Sequence, residues 1–277
     1  MHGRPSFLLD HCVEGLRTRE IDEAWRESAI ARIQPAELVL VTDFDGTLAD
    51  IVPDPTLAVA LPESLRALRR LAQRLSEVIV LSSRTNPELE ALVPVPGLRL
   101  IGDGGRPMPG PVERRALDHF NSEATRLLVT IPGAWLEVKP ASSAVHFRNT
   151  DRSGEDVFAL LRPLLKATGL AGMAGRKVVE FHVPDVGKGS ALTAMLPALK
   201  PGGLVCFGDD ENDRSMFEVV SRLAIPHMCV GVSSMEAPAD LFHRCDLVVS
   251  GPPEAAALLN TMAEWASTSP SAGILAP

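Results

Sequence analysis

Two kinds of hydrophobic pattern alternate along this chain. The first is the short apolar run, unbroken except for Arg99 in the third: Leu38 to Val41, Val78 to Leu81, Leu98 to Ile101, Leu204 to Phe207, Met228 to Val232 and Leu247 to Val249. Runs of this length without polar alternation predict strands covered on both faces. Between them lie stretches in which apolar residues recur every three or four positions, the helical period. One covers about 62–75, with Leu65, Leu68, Leu71 and Leu75 on one face and Pro62 in the first turn. Others begin after Thr85 and Asn86, cover about 189–196, start near Asp213, and cover about 253–265. Strands alternating with helices predict an α/β fold, a doubly wound, Rossmann-like parallel sheet.

The alternation is interrupted between Pro111 and Asp185. There a helix at about 114–130 precedes strands near 134–138 and 144–147. A second helix, capped by Ser153 and stopped by Gly169, precedes strands near 170–174 and 176–183. Helix-strand-strand twice over is a small α+β module, inserted into the larger sheet. The expected organisation is therefore a helical extension over 1–35, a core from 36–111 and 185–277, and an inserted domain over 112–184. In the extension, Val13, Leu16, Ile21, Trp25, Ala29 and Ile33 share a stripe, which predicts a helix packed on the core. The tail from Ser267 is rich in Ser, Pro and Ala and is expected to be mobile.

Composition narrows the partners. The chain has 277 residues, 45% of them hydrophobic, and a net charge of −8. That balance argues against nucleic acid or an anionic membrane as the main partner. It leaves room for a small anion, because a metal and a local cationic cluster can reverse the sign inside one cleft. Cys12, Cys206, Cys229 and Cys245 form no paired spacing, so a reduced, cytoplasmic setting is expected. No run is long enough to span a membrane, and Asp10 cuts off the short patch Phe7-Leu8-Leu9. Nothing in the pattern speaks to oligomeric state.

The chemistry concentrates where apolar runs end. Leu38 to Thr42 leads into Asp43-Phe44-Asp45-Gly46-Thr47-Leu48. Carboxylates two apart on an extended backbone project to one side. Burying them costs free energy unless a cation meets them. Ser82 follows the second run, and Asp209, Asp210 and Asp213 follow the fourth. Lys188 opens a helix, where the dipole disfavours a cation unless an anion lies close. Ligands of open parallel sheets bind beyond the carboxyl ends of the strands. These clusters together read as a phosphoryl-transfer site. Asp43 is the candidate nucleophile, and Asp45 the general acid and base. Magnesium would suit Asp43, Asp209 and a backbone carbonyl near Asp45. Ser82 and Lys188 would bind the non-bridging phosphate oxygens.

At these residues the chain resembles the haloacid dehalogenase superfamily of phosphatases. Asp43 to Leu48 is similar to its first motif, Ser82 to its second, Lys188 to its third, and Gly208-Asp209-Asp210 with Asp213 to its fourth. A closer similarity, over about 38–260, is to the trehalose-6-phosphate phosphatase family. It adds Glu137-Val138-Lys139-Pro140, Val145 to Asn149, and Val179-Glu180-Phe181. The resemblance implies that the insert is a mobile cap, that Arg84, Lys139, His146, Arg148 and Glu180 grip a sugar phosphate, and that Thr47, Asp210 and Asp213 support the core site. It implies hydrolysis of trehalose 6-phosphate. The rival expectations are another sugar phosphate, of the sucrose phosphate or glycosyl-phosphoglycerate type, or a catalytically silent regulatory module. Ser83 stands where the family commonly has glycine, and Gly102-Asp103-Gly104-Gly105 lacks the family's common histidine.

Overall fold

The computed structural model describes residues 18–269 except 176, 185, 235, 236, 238 and 239. Cys12, the start of the predicted N-terminal helix and the end of the tail lie outside the described residues. Six strands form one all-parallel sheet: β1 (Leu38–Thr42), β2 (Glu77–Leu81), β3 (Arg99–Ile101), β8 (Gly203–Gly208), β9 (His227–Ser233) and β10 (Leu247–Ser250). Their spatial order is β10-β9-β8-β1-β2-β3. The chain runs from β1 toward β3 on one side, and from β8 toward β10 on the other. The switch point therefore falls between β1 and β8, the crevice where such sheets bind ligands.

Both faces of this sheet are covered, as the unbroken runs require. Period-two alternation sends Leu38 and Leu40 into one core, with Val78, Val80, Val205 and Phe207. It sends Val39 and Val41 into the other, with Ile79, Leu81, Leu204 and Cys206. The first core is roofed by α1 (Thr18–Glu27), α2 (Pro62–Leu71), α3 (Asn86–Leu92) and α8 (Gly251–Thr268). The second is covered by α6 (Lys188–Leu199) and α7 (Arg214–Val220). The N-terminal helix packs on the core as expected. Trp25 is buried and meets Trp265 of α8 edge-on, ring centroids 5.2 Å apart.

The chain leaves this sheet after β3 and builds a second one. It comprises α4 (Pro111–Leu128), β4 (Trp135–Val138), β5 (Ser142–His146), α5 (Gly154–Thr168), β6 (Ala171–Gly175) and β7 (Val178–His182). The four strands are antiparallel in the order β4-β5-β7-β6. Leu117, Phe120 and Ala124 of α4 and Val157 and Leu161 of α5 pack on Val145, Val179 and Phe181 from one face of the sheet. Ser153 caps α5 and Gly169 closes it at φ +72°. The other face is polar. Register sets Glu137, Ala144, Glu180 and Met173 in one row across it, and Trp135, His146, Val178 and Gly175 in the next. That polar face lies against the carboxyl ends of the parallel strands.

Charged side chains fasten the two units. Arg106, following β3, donates from Nη2 to Glu180 Oε2 at 2.9 Å, and both side chains are buried. Lys139 Nζ donates to the carbonyl of Ser83 at 3.0 Å and lies 3.5 Å from Glu180 Oε1. Within the parallel-sheet unit, Asn212 Nδ2 donates to the Oγ of the same Ser83 at 3.3 Å.

The ion pairs make acid stability predictable. Burial alone would push the Glu180 carboxyl up, but Arg106 and Lys139 outweigh it and hold it below its ordinary value. Burial, with Arg106, pushes His182 down. A group whose pKa is depressed by folding contributes stability above its unfolded pKa and loses it as pH falls through the folded one. His182 should begin to weaken the fold below about pH 6.5, and Glu180 below about pH 4.5. Asp43, whose carboxyl burial raises to about 7, gains stability over the same fall, so the test is a comparison: below about pH 4.5 the Tm should fall less steeply in Glu180→Gln than in the wild type. An unchanged slope in that variant would contradict the assignment.

Candidate active site

Each carboxylate reaches the crevice because its strand stops there. Thr42 of β1 pairs with Phe207 of β8, and the Asp43 amide donates to the Phe207 carbonyl at 3.1 Å. Asp43 and Asp209 thus leave neighbouring strands at the same level. Gly46, at φ +74°, turns the chain back, and a Cβ there would collide with the Asp209 carboxylate. Thr47 is buried in that turn.

Lys188, at the start of α6, is 2% exposed and bridges two acids. Its Nζ lies 2.8 Å from Asp43 Oδ1 and 2.6 Å from Asp213 Oδ1. The second oxygen of Asp213 accepts the amides of Asp209 at 2.9 Å and Asp210 at 3.2 Å. Asp213 therefore holds the ammonium and the loop together. This answers the helix-dipole argument: the cation at the helix start is held by two anions. Lys188 is shifted further toward its charged form; burial opposes this, and Asp213 and Asp43 outweigh it.

Asp43, Asp209 and Asp213 each offer a carboxylate oxygen within 4.8 Å of the others, and all three are buried. Three acids against one ammonium leave an excess of negative charge. Burial pushes the Asp43 carboxyl up to about 7, with Asp213 and Asp45 adding to the push and Lys188 opposing it. A hard, oxygen-only donor set with surplus negative charge fits a divalent cation. The expected set is Asp43, Asp209 and the carbonyl of Asp45. The carboxylate cluster brings in Asp213, expected only as support.

The Asp45 side chain turns away from this cluster. Both its oxygens accept from Arg84, Nε and Nη2 each at 2.8 Å. Arg84 Nη2 also donates to the Pro55 carbonyl at 2.8 Å, and the guanidinium lies 5.3 Å from the Phe44 ring centre. Arg84, expected on substrate, grips the candidate general acid in this structure. Ser82 is buried, and its hydroxyl accepts the Arg84 amide at 3.3 Å.

A cavity of about 180 Å³ lies between the two sheets. Asp45, Arg84, Ser83, Asp210 and Asn212 wall it from the parallel side, and Glu137, Lys139, His146, Arg148 and Glu180 from the antiparallel side. All four residues expected of the insert thus meet one space with Asp45. His146 is held by Glu137, Nε2 to Oε2 at 2.8 Å. Asp43 and Lys188 do not line this cavity. Glu137 stands in the family-like segment without an assigned role, and no motif includes Trp135 or Arg106, yet the first two line the cavity and the third holds Glu180. Trp135 is visible in principle, since it precedes Glu137 and Lys139 at a spacing of two. Arg106 carries no local signal.

Comparisons with known proteins bear on this geometry. Residues 41–242 match the Trehalose-phosphatase family model. The chain belongs to that family. A trehalose-phosphate phosphatase of Mycobacterium bovis is 34% identical over 220 residues, 72% of this chain and 54% of the relative. A bifunctional trehalose-6-phosphate synthase/phosphatase of Thermoproteus tenax is 33% identical over 202 residues, 67% of this chain and 28% of the relative. The chain thus spans about half the length of the first relative, or less. Among solved structures, the C-terminal domain of a Candida albicans trehalose-6-phosphate phosphatase matches with a TM-score of 0.68 at 18% identity, over 90% of this chain and 97% of that one. At that identity the likeness speaks to the fold alone.

Proposed function

We propose that the chain is a magnesium-dependent phosphatase that hydrolyses trehalose 6-phosphate to trehalose and inorganic phosphate. The observation that carries the reading is the single cavity walled by Asp45 on one side and by Glu137, Lys139, His146, Arg148 and Glu180 on the other. Hydrogen-bonding and charged side chains facing one space suit a polyhydroxyl anion. Family membership supplies the substrate class.

In this mechanism an Asp43 carboxylate oxygen attacks phosphorus while Asp45 protonates the departing sugar oxygen, giving trehalose and an aspartyl-phosphate. Asp45, now a base, takes a proton from water as the water oxygen attacks phosphorus, and Asp43 is released with inorganic phosphate. Lys188 and the Ser82 hydroxyl bind the non-bridging oxygens. Arg84 engages both Asp45 oxygens in this structure, so it must release one of them before Asp45 can carry the proton. Asp43, Asp209 and a backbone carbonyl near Asp45 would hold magnesium, with Asp213 beside them. The ion would keep Asp43 ionised and lessen its repulsion from the phosphate.

Residues 112–184 act in this reading as a cap. Asp43 is only 4% exposed, so phosphate reaches it when the cap lifts, and closure then excludes water. Arg106–Glu180 and Lys139–Ser83 are the contacts such opening would break. A reducing, cytoplasmic setting is part of the proposal and rests on the free thiols of Cys206, Cys229 and Cys245. No described helix is long and apolar enough to cross a membrane.

Phosphate release across a panel of sugar phosphates, with and without magnesium, tests the reading. Trehalose 6-phosphate should be turned over far faster than a generic aryl phosphate, and excess chelator should abolish both. Equal rates on the two substrates would leave a phosphatase for some other ester. Full turnover in chelator would remove the metal from the mechanism.

A further inference from the structure

Trp135 has no part in the chemistry above, yet it stands in the cavity wall. It is 45% exposed, and it sits on β4, the edge strand of the antiparallel sheet. Its ring stacks on His146, with centroids 4.1 Å apart and planes 11° from parallel. His146 is itself fixed by the 2.8 Å contact to Glu137. One face of the indole is thus backed by a second ring that Glu137 holds. The accessible part of Trp135 lines the same cavity as Asp45 and Lys139.

We propose that Trp135 is a stacking platform for a pyranose ring of the substrate, with His146 as its rigid backing. This rests on the sugar-phosphate reading and adds a specificity-determining residue to it. A pyranose carries polar hydroxyls around its rim and polarised C–H groups on its face. The electron-rich face of an indole complements such a C–H face, and a two-angle side chain already braced loses little entropy on binding. The charged groups around the platform then match the rim. Period two explains the arrangement. Trp135 and Glu137 alternate on β4 and Lys139 follows the strand's last residue at the same spacing, so a flat apolar plate, an acid and a base line one space. A small aryl phosphate, seated only at the Asp45 end, would not need the plate.

Steady-state kinetics and fluorescence test this. In Trp135→Ala the KM for trehalose 6-phosphate should rise roughly tenfold with kcat within about twofold, as expected when one good apolar stacking surface is removed. Trp135→Phe should recover most of that affinity. The loss on a small aryl phosphate should be far smaller than on the sugar. Of the three tryptophans, Trp25 and Trp265 pack on each other beside the parallel sheet. Trehalose added to the wild-type chain should therefore change the emission through Trp135, and Trp135→Phe should abolish the change. A KM unaffected in Trp135→Ala, a loss confined to kcat, or an emission change that survives in Trp135→Phe would overturn the platform. A wild-type chain that leaves trehalose 6-phosphate intact overturns the substrate reading instead. The same KM comparison then decides the platform on whichever sugar phosphate the panel yields, and a panel that yields none overturns it too.

Discussion

Asp43→Asn should abolish phosphate release, lowering kcat by more than about 10⁴-fold, while leaving the fold as stable as before. The two halves of this expectation come from one observation. Asp43 is buried, and burial has pushed its carboxyl up to about 7. A neutral amide of the same shape therefore resembles a form the folded protein already tolerates. Lys188 keeps its shorter contact, 2.6 Å to Asp213, so no buried charge is orphaned. The amide oxygen is not a nucleophile at phosphorus, so the covalent path is closed. Single-turnover phosphate release and a thermal melt on the same preparation separate the two effects. Activity within tenfold of wild type would end the case for Asp43 as nucleophile. A collapsed melt with lost activity would recast it as a structural acid.

The sequence made the parallel sheet readable because its strands are unbroken apolar runs, and that pattern has few other uses. Leu38 to Val41 and Val78 to Leu81 sit within a residue of their observed strands. Helix ends were harder. The stripe through Leu75 suggested a helix to that point, but α2 ends at Leu71 and the chain continues in turns. Leu75 still packs in the core, so its periodicity signalled burial rather than helix. In the site, the motif residues were legible because strand ends concentrate them. What could not be read was pairing across the two sheets. Arg106 lies 74 positions from its partner Glu180, and Arg84 lies 39 from Asp45. Such distant ion pairs leave no local pattern. The positive φ values at Asp103, Gly104 and Gly105 aim Arg106, and they explain why a glycine-rich stretch precedes it. Ser83, which departs from the usual glycine, adds the hydroxyl that meets Asn212, while its main-chain carbonyl, which glycine would also offer, meets Lys139.

Lys188→Met should cost the fold about 3–5 kcal/mol and the activity nearly all of its rate. Methionine keeps most of the aliphatic stem and removes only the charge, so cavity formation is a minor part of the loss. The ammonium is the counter-ion of two buried carboxylates, at 2.8 and 2.6 Å. Without it, Asp43 and Asp213 face each other in a site that water barely reaches, and their carboxyls move up until one takes a proton. The sign of the pH effect follows. A carboxyl raised by folding binds its proton more tightly in the folded state, so the variant's deficit should shrink as pH falls toward the unfolded value near 3.8 and widen above it. A second substitution sharpens the test. Asp213→Asn in the Lys188→Met background should recover part of the lost stability, because it removes one of the two stranded charges. It should not recover activity, since the phosphate still lacks its ammonium partner. Magnesium should raise the Tm of Lys188→Met more than that of the wild type, because the surplus charge it would neutralise is larger. Denaturant melts of the two variants and the wild type, with and without magnesium, give every quantity. Additive losses in the double variant would mean that Lys188 and Asp213 act independently. That would contradict a site in which one ammonium holds Asp43 and the Asp209–Asp213 loop together.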